Sequence, residues 1–236
     1  MGDSHNKISG THGHSHKEHE VSILQELACH LPYGTFSVAF GFIFLSVIHF
    51  MSLGFSMDRA MVCHGYHILF HSFHYLHLIF AIAGTFVAFS RFSKNLFHGL
   101  LISIVSPSIF CTLSDIALPA LAGQILGVHM HMHICFFSLP DLMNVIPFML
   151  IGLITGYAIS RHHTAALEFV SLTSHFVHIL ISSLAATFYT VSYGFESWPS
   201  VMGLLFLLLV IAVVIPCTIS DVIVPLYFSR CTRKKQ

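Results

Sequence analysis

The sequence says nearly the same thing twice, in two copies that follow one another along the chain. Cys111-Thr112-Leu113-Ser114-Asp115-Ile116-Ala117-Leu118-Pro119 returns as Cys217-Thr218-Ile219-Ser220-Asp221-Val222-Ile223-Val224-Pro225. Upstream, His74-Tyr75-Leu76-His77-Leu78 returns as His175-Phe176-Val177-His178-Ile179. Further upstream still, Gly54-Phe55-Ser56-Met57-Asp58-Arg59 faces Gly156-Tyr157-Ala158-Ile159-Ser160-Arg161. Three matches in one order amount to an internal duplication. The copied positions are largely side chains that bind ions.

Composition puts the duplication in a membrane. The chain is 55% hydrophobic and 8% charged, with a mean hydropathy of +0.80, outside the range of a soluble domain. Neither Lys nor Arg occurs between Lys94 and Arg161, or between Arg161 and Arg230, and each stretch is long enough to cross a bilayer twice. The expected fold class is an all-α integral membrane protein with six transmembrane helices, at about 35–56, 64–90, 96–126, 140–160, 164–192 and 199–228. The second, third, fifth and sixth are long, so they tilt, extend beyond the hydrocarbon or break.

The basic residues set an orientation. With alternating helices, Lys7, Lys17, Arg91, Lys94, Arg161, Arg230, Arg233, Lys234 and Lys235 share one side and Arg59 stands on the other. The positive-inside rule then makes both termini cytoplasmic, in a multi-pass protein of the cell (inner) membrane. The first 30 residues are polar and lack an apolar core, which reads as a tail and not a cleaved signal peptide. Ten basic against ten acidic residues give no reason to invoke nucleic acid. The expected partners are a metal ion and the lipid bilayer, and a homo-oligomer is compatible with the chain.

Three crossings per copy is an odd number, so the second copy enters the membrane upside down. The expectation is two inverted three-helix repeats around a pseudo-two-fold axis in the membrane plane, an arrangement suited to alternating access. The chain divides accordingly into a His-rich cytoplasmic tail (1–30), a first repeat (31–128), a second, inverted repeat (129–228) and a basic cytoplasmic C-terminus (229–236).

Histidine marks the second helix. His64, His67, His71, His74 and His77 recur at spacings of three and four, which at 100° per residue confines them to an arc of about 140°. His74 and His77 have counterparts in His175 and His178, and both pairs are spaced i, i+3, so each presents two imidazoles side by side. Counting from the helix ends puts His77 and His178 close to mid-membrane. Neutral imidazole suits zinc, copper, nickel and iron, and four nitrogens satisfy a tetrahedral ion. His67, His71, His74, His77, His175 and His178 are therefore the candidate metal ligands.

The duplicated Cys-Thr-x-Ser-Asp segments supply two more. A carboxylate in a bilayer is costly unless paired, protonated or bound to a cation, and Asp115 and Asp221 recur beside Thr112, Ser114, Thr218 and Ser220. Pro119 and Pro225 follow while Pro107 and Pro216 precede, and proline frees backbone carbonyls one turn earlier. Helix counting places one carboxylate toward each mouth, with the histidines between them.

Two peripheral clusters share the theme. His12-Gly13-His14-Ser15-His16 alternates ligands with small residues, as suits a labile metal held without a fold. His129-Met130-His131-Met132-His133 lies in the third-to-fourth connection; extended, it points its three imidazoles (His129, His131, His133) one way and two thioethers the other, which keeps copper open. Cys111 and Cys217 read as ordinary buried thiols. Cys63 and Cys135, both near the outer surface, are a candidate disulfide. Arg161-His162-His163 with Glu168 form a candidate exit or regulatory site, and Asn144 and Pro147 are candidate pathway liners.

The N-terminal tract resembles the His-rich cytosolic segments of many zinc transporters, a resemblance of composition that covers under a tenth of the chain. His67-x-x-x-His71 and His71-x-x-His74 resemble the histidine boxes of membrane di-iron desaturases and hydroxylases, but those boxes lie on one membrane side and end in paired histidines. Here the histidines run from the outer surface to the midplane. The expected function is a secondary transporter of divalent transition-metal ions, zinc first and copper, nickel or iron next, and not an enzyme. The alternatives are a b-type haem or other redox protein with axial histidines from the second and fifth helices, and a metal-dependent membrane enzyme.

Overall fold

The structure, a computed structural model, describes residues 23–136, 138–161, 166–194 and 198–233. His12, His14 and His16 lie outside the described residues, as do His162, His163 and the side chain of Glu168. The regular structure of the described residues is helical, with no strand among them. Helix α1 spans Ile23–Gly54, α2 Arg59–Ser90, α3 Leu96–Thr112, α4 Leu118–Ile125, α5 Leu139–Arg161, α6 Ala166–Ser192, α7 Met202–Thr218 and α8 Val224–Arg233. Because α3 runs into α4 and α7 into α8, they make six helices long and apolar enough to cross a membrane.

The prolines do not break these spans. Instead α3 passes into α4 through a π-helical turn at Leu113–Ala117, and α7 into α8 through a second at Ile219–Ile223. Leu118 N–H bonds to the carbonyl of Leu113, and Val224 N–H to that of Ile219. The wider loop keeps the helix going just before Pro119 and Pro225, whose missing N–H would otherwise interrupt the ladder. Both turns contain the aspartate of the duplicated segment, so each carboxylate projects from a locally widened helix.

Helix α1 begins at Ile23, well before the start expected near residue 35. Tertiary packing explains the extension: Pro32 sits within the helix, and His30 is buried with its ring 4.3 Å, centroid to centroid, from that of His175. Hydropathy registers none of this.

Helices α2 and α6 form the central pair. Each is flanked by the first helix of the other copy, α5 on α2 and α1 on α6. On α5, Gly152 and Gly156 lie directly against the α2 backbone: a Cβ built on Gly152 would stand 3.0 Å from the Ile79 carbonyl, and one on Gly156 3.0 Å from the Ala83 Cα. This small-xxx-small spacing is how helices approach closely where lipid offers no hydrophobic drive. The inward face of α6 carries Ser182, Ser183, Thr187 and Thr190, all buried, and the Thr187 and Thr190 hydroxyls donate to carbonyls one turn back. Phe36, Ile43, Leu101, Ile109, Leu150, Ile154, Leu204 and Ile211 face outward and are exposed. Polar groups inside and apolar groups outside suit an apolar surrounding phase.

Candidate metal centre

The i, i+3 histidines of α2 and α6 meet at the middle of the central pair. His77 Nε2 and His178 Nε2 are 2.7 Å apart, and both side chains are buried. Behind each ring stands an aspartate from a π turn. His77 Nδ1 is 2.7 Å and His74 Nδ1 2.8 Å from Asp115 Oδ2, while His178 Nδ1 is 3.0 Å and His175 Nδ1 3.6 Å from Asp221 Oδ2. The result is a continuous chain from Asp115 through His77 and His178 to Asp221. The carboxylates lie against the imidazoles with the two histidine pairs between them, each carboxylate projecting from a π turn.

Sulfur joins the same point. Cys111 Sγ lies 3.7 Å and Cys217 Sγ 3.9 Å from His77 Nε2, and the ligand atoms of His77, His178 and Cys217 all fall within 4.8 Å of one another. In a tetrahedral zinc site, bonds of about 2.0–2.1 Å to nitrogen and about 2.3 Å to sulfur give nitrogen–nitrogen edges of about 3.3 Å and nitrogen–sulfur edges of about 3.6 Å. Two trans ligands of one iron would stand about 4 Å apart on similar bond lengths. The observed spacing is nearer the tetrahedral edge, so a few tenths of an ångström of ring movement admits an ion. An aspartate on Nδ1 is the usual partner of a metal-ligating histidine, because it fixes the tautomer and leaves the Nε2 lone pair free. The buried His, Cys and Asp groups can therefore hold a metal.

The two carboxylates are not equally satisfied. Asp115, fully buried, accepts from His74 and His77 on Oδ2 and from the Ser114 and Ser182 hydroxyls on Oδ1, at 2.7 and 2.8 Å. Asp221 Oδ1 is buried without a hydrogen-bond partner among the described residues, as is His175 Nε2. The sequence explains the difference. Ser182 follows His178 by one helical turn, and the matching residue after His77 is Ala81. Ser220, the counterpart of Ser114, bonds to Ser106 Oγ at 3.4 Å instead. Asp115 thus draws one hydroxyl from each copy, Ser114 and Ser182, whereas the position matching Ser182 is an alanine.

A second cluster lies where the 126–138 connection meets the start of α2. The ligand atoms of His71, His133 and Cys135 are all within 4.8 Å of one another. His67 Nε2 bonds to the Tyr193 hydroxyl at 2.8 Å, and His133 stacks on the Tyr193 ring. Burial first, and the nearby Asp141 charge next, push the Cys135 thiol up to about 12. Of the expected row of three imidazoles only His133 turns inward; His129 and His131 are exposed, and Met130 fills the core against Gly123. The connection is not an extended strand, so the alternation of faces does not hold. Cys63 and Cys135 form no disulfide; both are free, the first exposed and the second buried.

Two features of the sequence gained weight only in three dimensions. Cys111 and Cys217, read as packing thiols, converge on His77. Ser182, visible as an i+4 neighbour of His178, supplies a hydrogen bond to Asp115.

Fold and site together define a helical protein with six helices long and apolar enough to cross a membrane and a buried His, Cys and Asp centre. No protein-family model matches the chain, and neither the curated proteins nor the solved structures yield a match.

Proposed function

We propose that this chain is a secondary transporter that carries a divalent transition-metal ion, zinc-like by preference, across the membrane in which its six helices sit. The ion is cargo, bound transiently between His77 and His178 with Cys217 and Cys111 beside them. The observation that carries this reading is the chain Asp115–His77–His178–Asp221, in which two imidazole nitrogens converge at 2.7 Å, each ring backed by its own carboxylate.

The duplication supports an inverted pair of three-helix repeats, with the site on the axis that relates them and both termini cytoplasmic. Such a site can be reached from either side when one repeat rocks against the other. Unequal closure, with Asp115 fully bonded and Asp221 short of a partner, accords with one of two access states. The short nitrogen–nitrogen distance favours cargo ligation over an axial haem pair. His30, 4.3 Å from His175 between ring centroids, and the outer His67 and His71 extend ligand-type side chains toward the two ends of the central pair.

Transport of zinc into proteoliposomes containing a zinc-sensitive dye tests the reading. Wild type should give uptake, and a folded His77→Ala/His178→Ala protein should lose at least nine-tenths of it. Wild-type uptake by that double variant would remove the site assignment, and a Soret band in purified protein would favour haem.

A further inference from the structure

We propose that His71, His133 and Cys135 form a second metal site, separate from the central one, which takes a zinc-class divalent ion and clamps the 126–138 connection onto α2. The inference goes beyond the transport reading and does not depend on it. It rests on four observations.

The three ligand atoms already lie within 4.8 Å of one another, about the span of a tetrahedral site before its bonds close. His71 Nδ1 lies 2.9 Å from the His67 carbonyl oxygen; donation there leaves Nε2 with its lone pair free, the arrangement usual for a metal-bound imidazole. His133 Nε2 is buried and makes no hydrogen bond among the described residues, although Asp141 Oδ2 stands 3.4 Å away. A buried ring nitrogen beside a carboxylate that it does not bond to is explained by a cation sitting between or beside the two. Cys135 is fully buried, and its sulfur completes a nitrogen–nitrogen–sulfur set of the kind zinc prefers, with Asp141 supplying further negative charge.

The site is held from behind. The Tyr189 hydroxyl donates to the His131 carbonyl at 2.9 Å, and the His131 N–H donates to the Tyr193 carbonyl at 3.3 Å. Tyr189 lies in the last turn of α6 and Tyr193 just past its end, so one side-chain and one backbone hydrogen bond fasten the connection there and present His133 and Cys135 to α2. An ion here would tie the two central helices together through the connection.

Cobalt titration of the full-length protein in detergent tests this, because thiolate ligation gives a near-ultraviolet charge-transfer band that histidines alone do not. The background is Cys111→Ala/Cys217→Ala, which removes sulfur from the central site. That protein should keep a cobalt–thiolate band with about one ion per chain. Adding Cys135→Ser should abolish the band, and adding His133→Ala or His71→Gln should weaken cobalt binding at least tenfold while near-normal thermal melting is kept. The histidine variants serve if Cys135→Ser fails to fold. Absence of the band in the background protein, its persistence in the folded Cys135→Ser variant, or undiminished cobalt affinity in the folded His133→Ala variant, overturns the site. Loss of zinc uptake has no bearing on this readout, so the two readings fail separately.

Discussion

His77 Nε2 and His178 Nε2 stand 2.7 Å apart, the contact distance of a hydrogen bond between two rings that each face an aspartate through Nδ1. One proton between the two nitrogens would make that contact a hydrogen bond; without it two lone pairs would face each other. A metal ion entering between them takes the place of that proton.

Metal binding at the centre is therefore expected to release protons and to weaken as pH falls, because protonated imidazole is not a ligand. Calorimetric titration with zinc in buffers of different ionisation enthalpy should show proton release, and affinity should decline as the solution is acidified. Zinc binding with no proton release would contradict the exchange.

Asp115→Asn and Asp221→Asn remove the charge behind each histidine and keep its shape. Outer partners of metal ligands commonly contribute 10–100-fold in affinity, so each variant should lose zinc affinity by about that factor. Asp115→Asn should also lower the melting temperature more, since Asp115 has four side-chain partners and Asp221 has fewer. Equal affinity in wild type and both variants would make the aspartates mere helix kinks.

Ser182→Ala withdraws one of the two hydroxyls that donate to the buried Asp115 Oδ1, a loss of about 1.5–3 kcal/mol for a hydrogen bond to a charged group. Ala81→Ser places a hydroxyl at the matching position of the other copy and should raise stability or leave it unchanged. Denaturation in mild detergent reads both. A destabilising Ala81→Ser beside a neutral Ser182→Ala would mean that the hydroxyls are unrelated to the aspartates.

Gly156→Leu drives a large side chain into the Ala83 backbone, where even a Cβ would stand 3.0 Å away. Overpacking of this kind costs roughly 1–3 kcal/mol or more, and separating α5 from α2 should lower the yield of folded protein. Gly54→Leu, with nothing within 4 Å of its Cβ position, serves as the control. Comparable elution profiles in size-exclusion chromatography would refute the close approach.

Native cysteines report the sidedness. Cys63, at the start of α2, is exposed, as are Cys29 and Cys231. An impermeant maleimide added to intact cells should label Cys63 and spare Cys29 and Cys231, which one span and five spans, both odd numbers, separate from it. Cys135, buried and with its thiol near 12, should stay unlabelled at neutral pH, its thiolate fraction rising only as pH rises toward that value. Labelling of Cys63 and Cys231 from the same face would end the inverted arrangement.

Helix number, the approximate spans and the special standing of His74, His77, His175, His178, Asp115 and Asp221 were legible in the sequence. Apolar length sets a span, and ligand-type side chains repeated in order stand out where polar groups are scarce. The i, i+3 spacing also shows which histidines share a helix face. That spacing does not tell how far one helix is rotated or slid against its neighbour. Only the packed bundle could decide that Cys111 and Cys217 point at His77, that Ser182 reaches Asp115, and that His133 but not His129 or His131 turns inward. The π turns belong with these: proline announces a disturbed helix, but widening it instead of breaking it depends on the contacts that hold α4 and α8 in line. Close packing at Gly152 and Gly156 fixes α5 on α2 to within an ångström, whereas sequence periodicity resolves a face of roughly 100°. Ligand geometry is a matter of tenths of an ångström, and it is tertiary packing that supplies them.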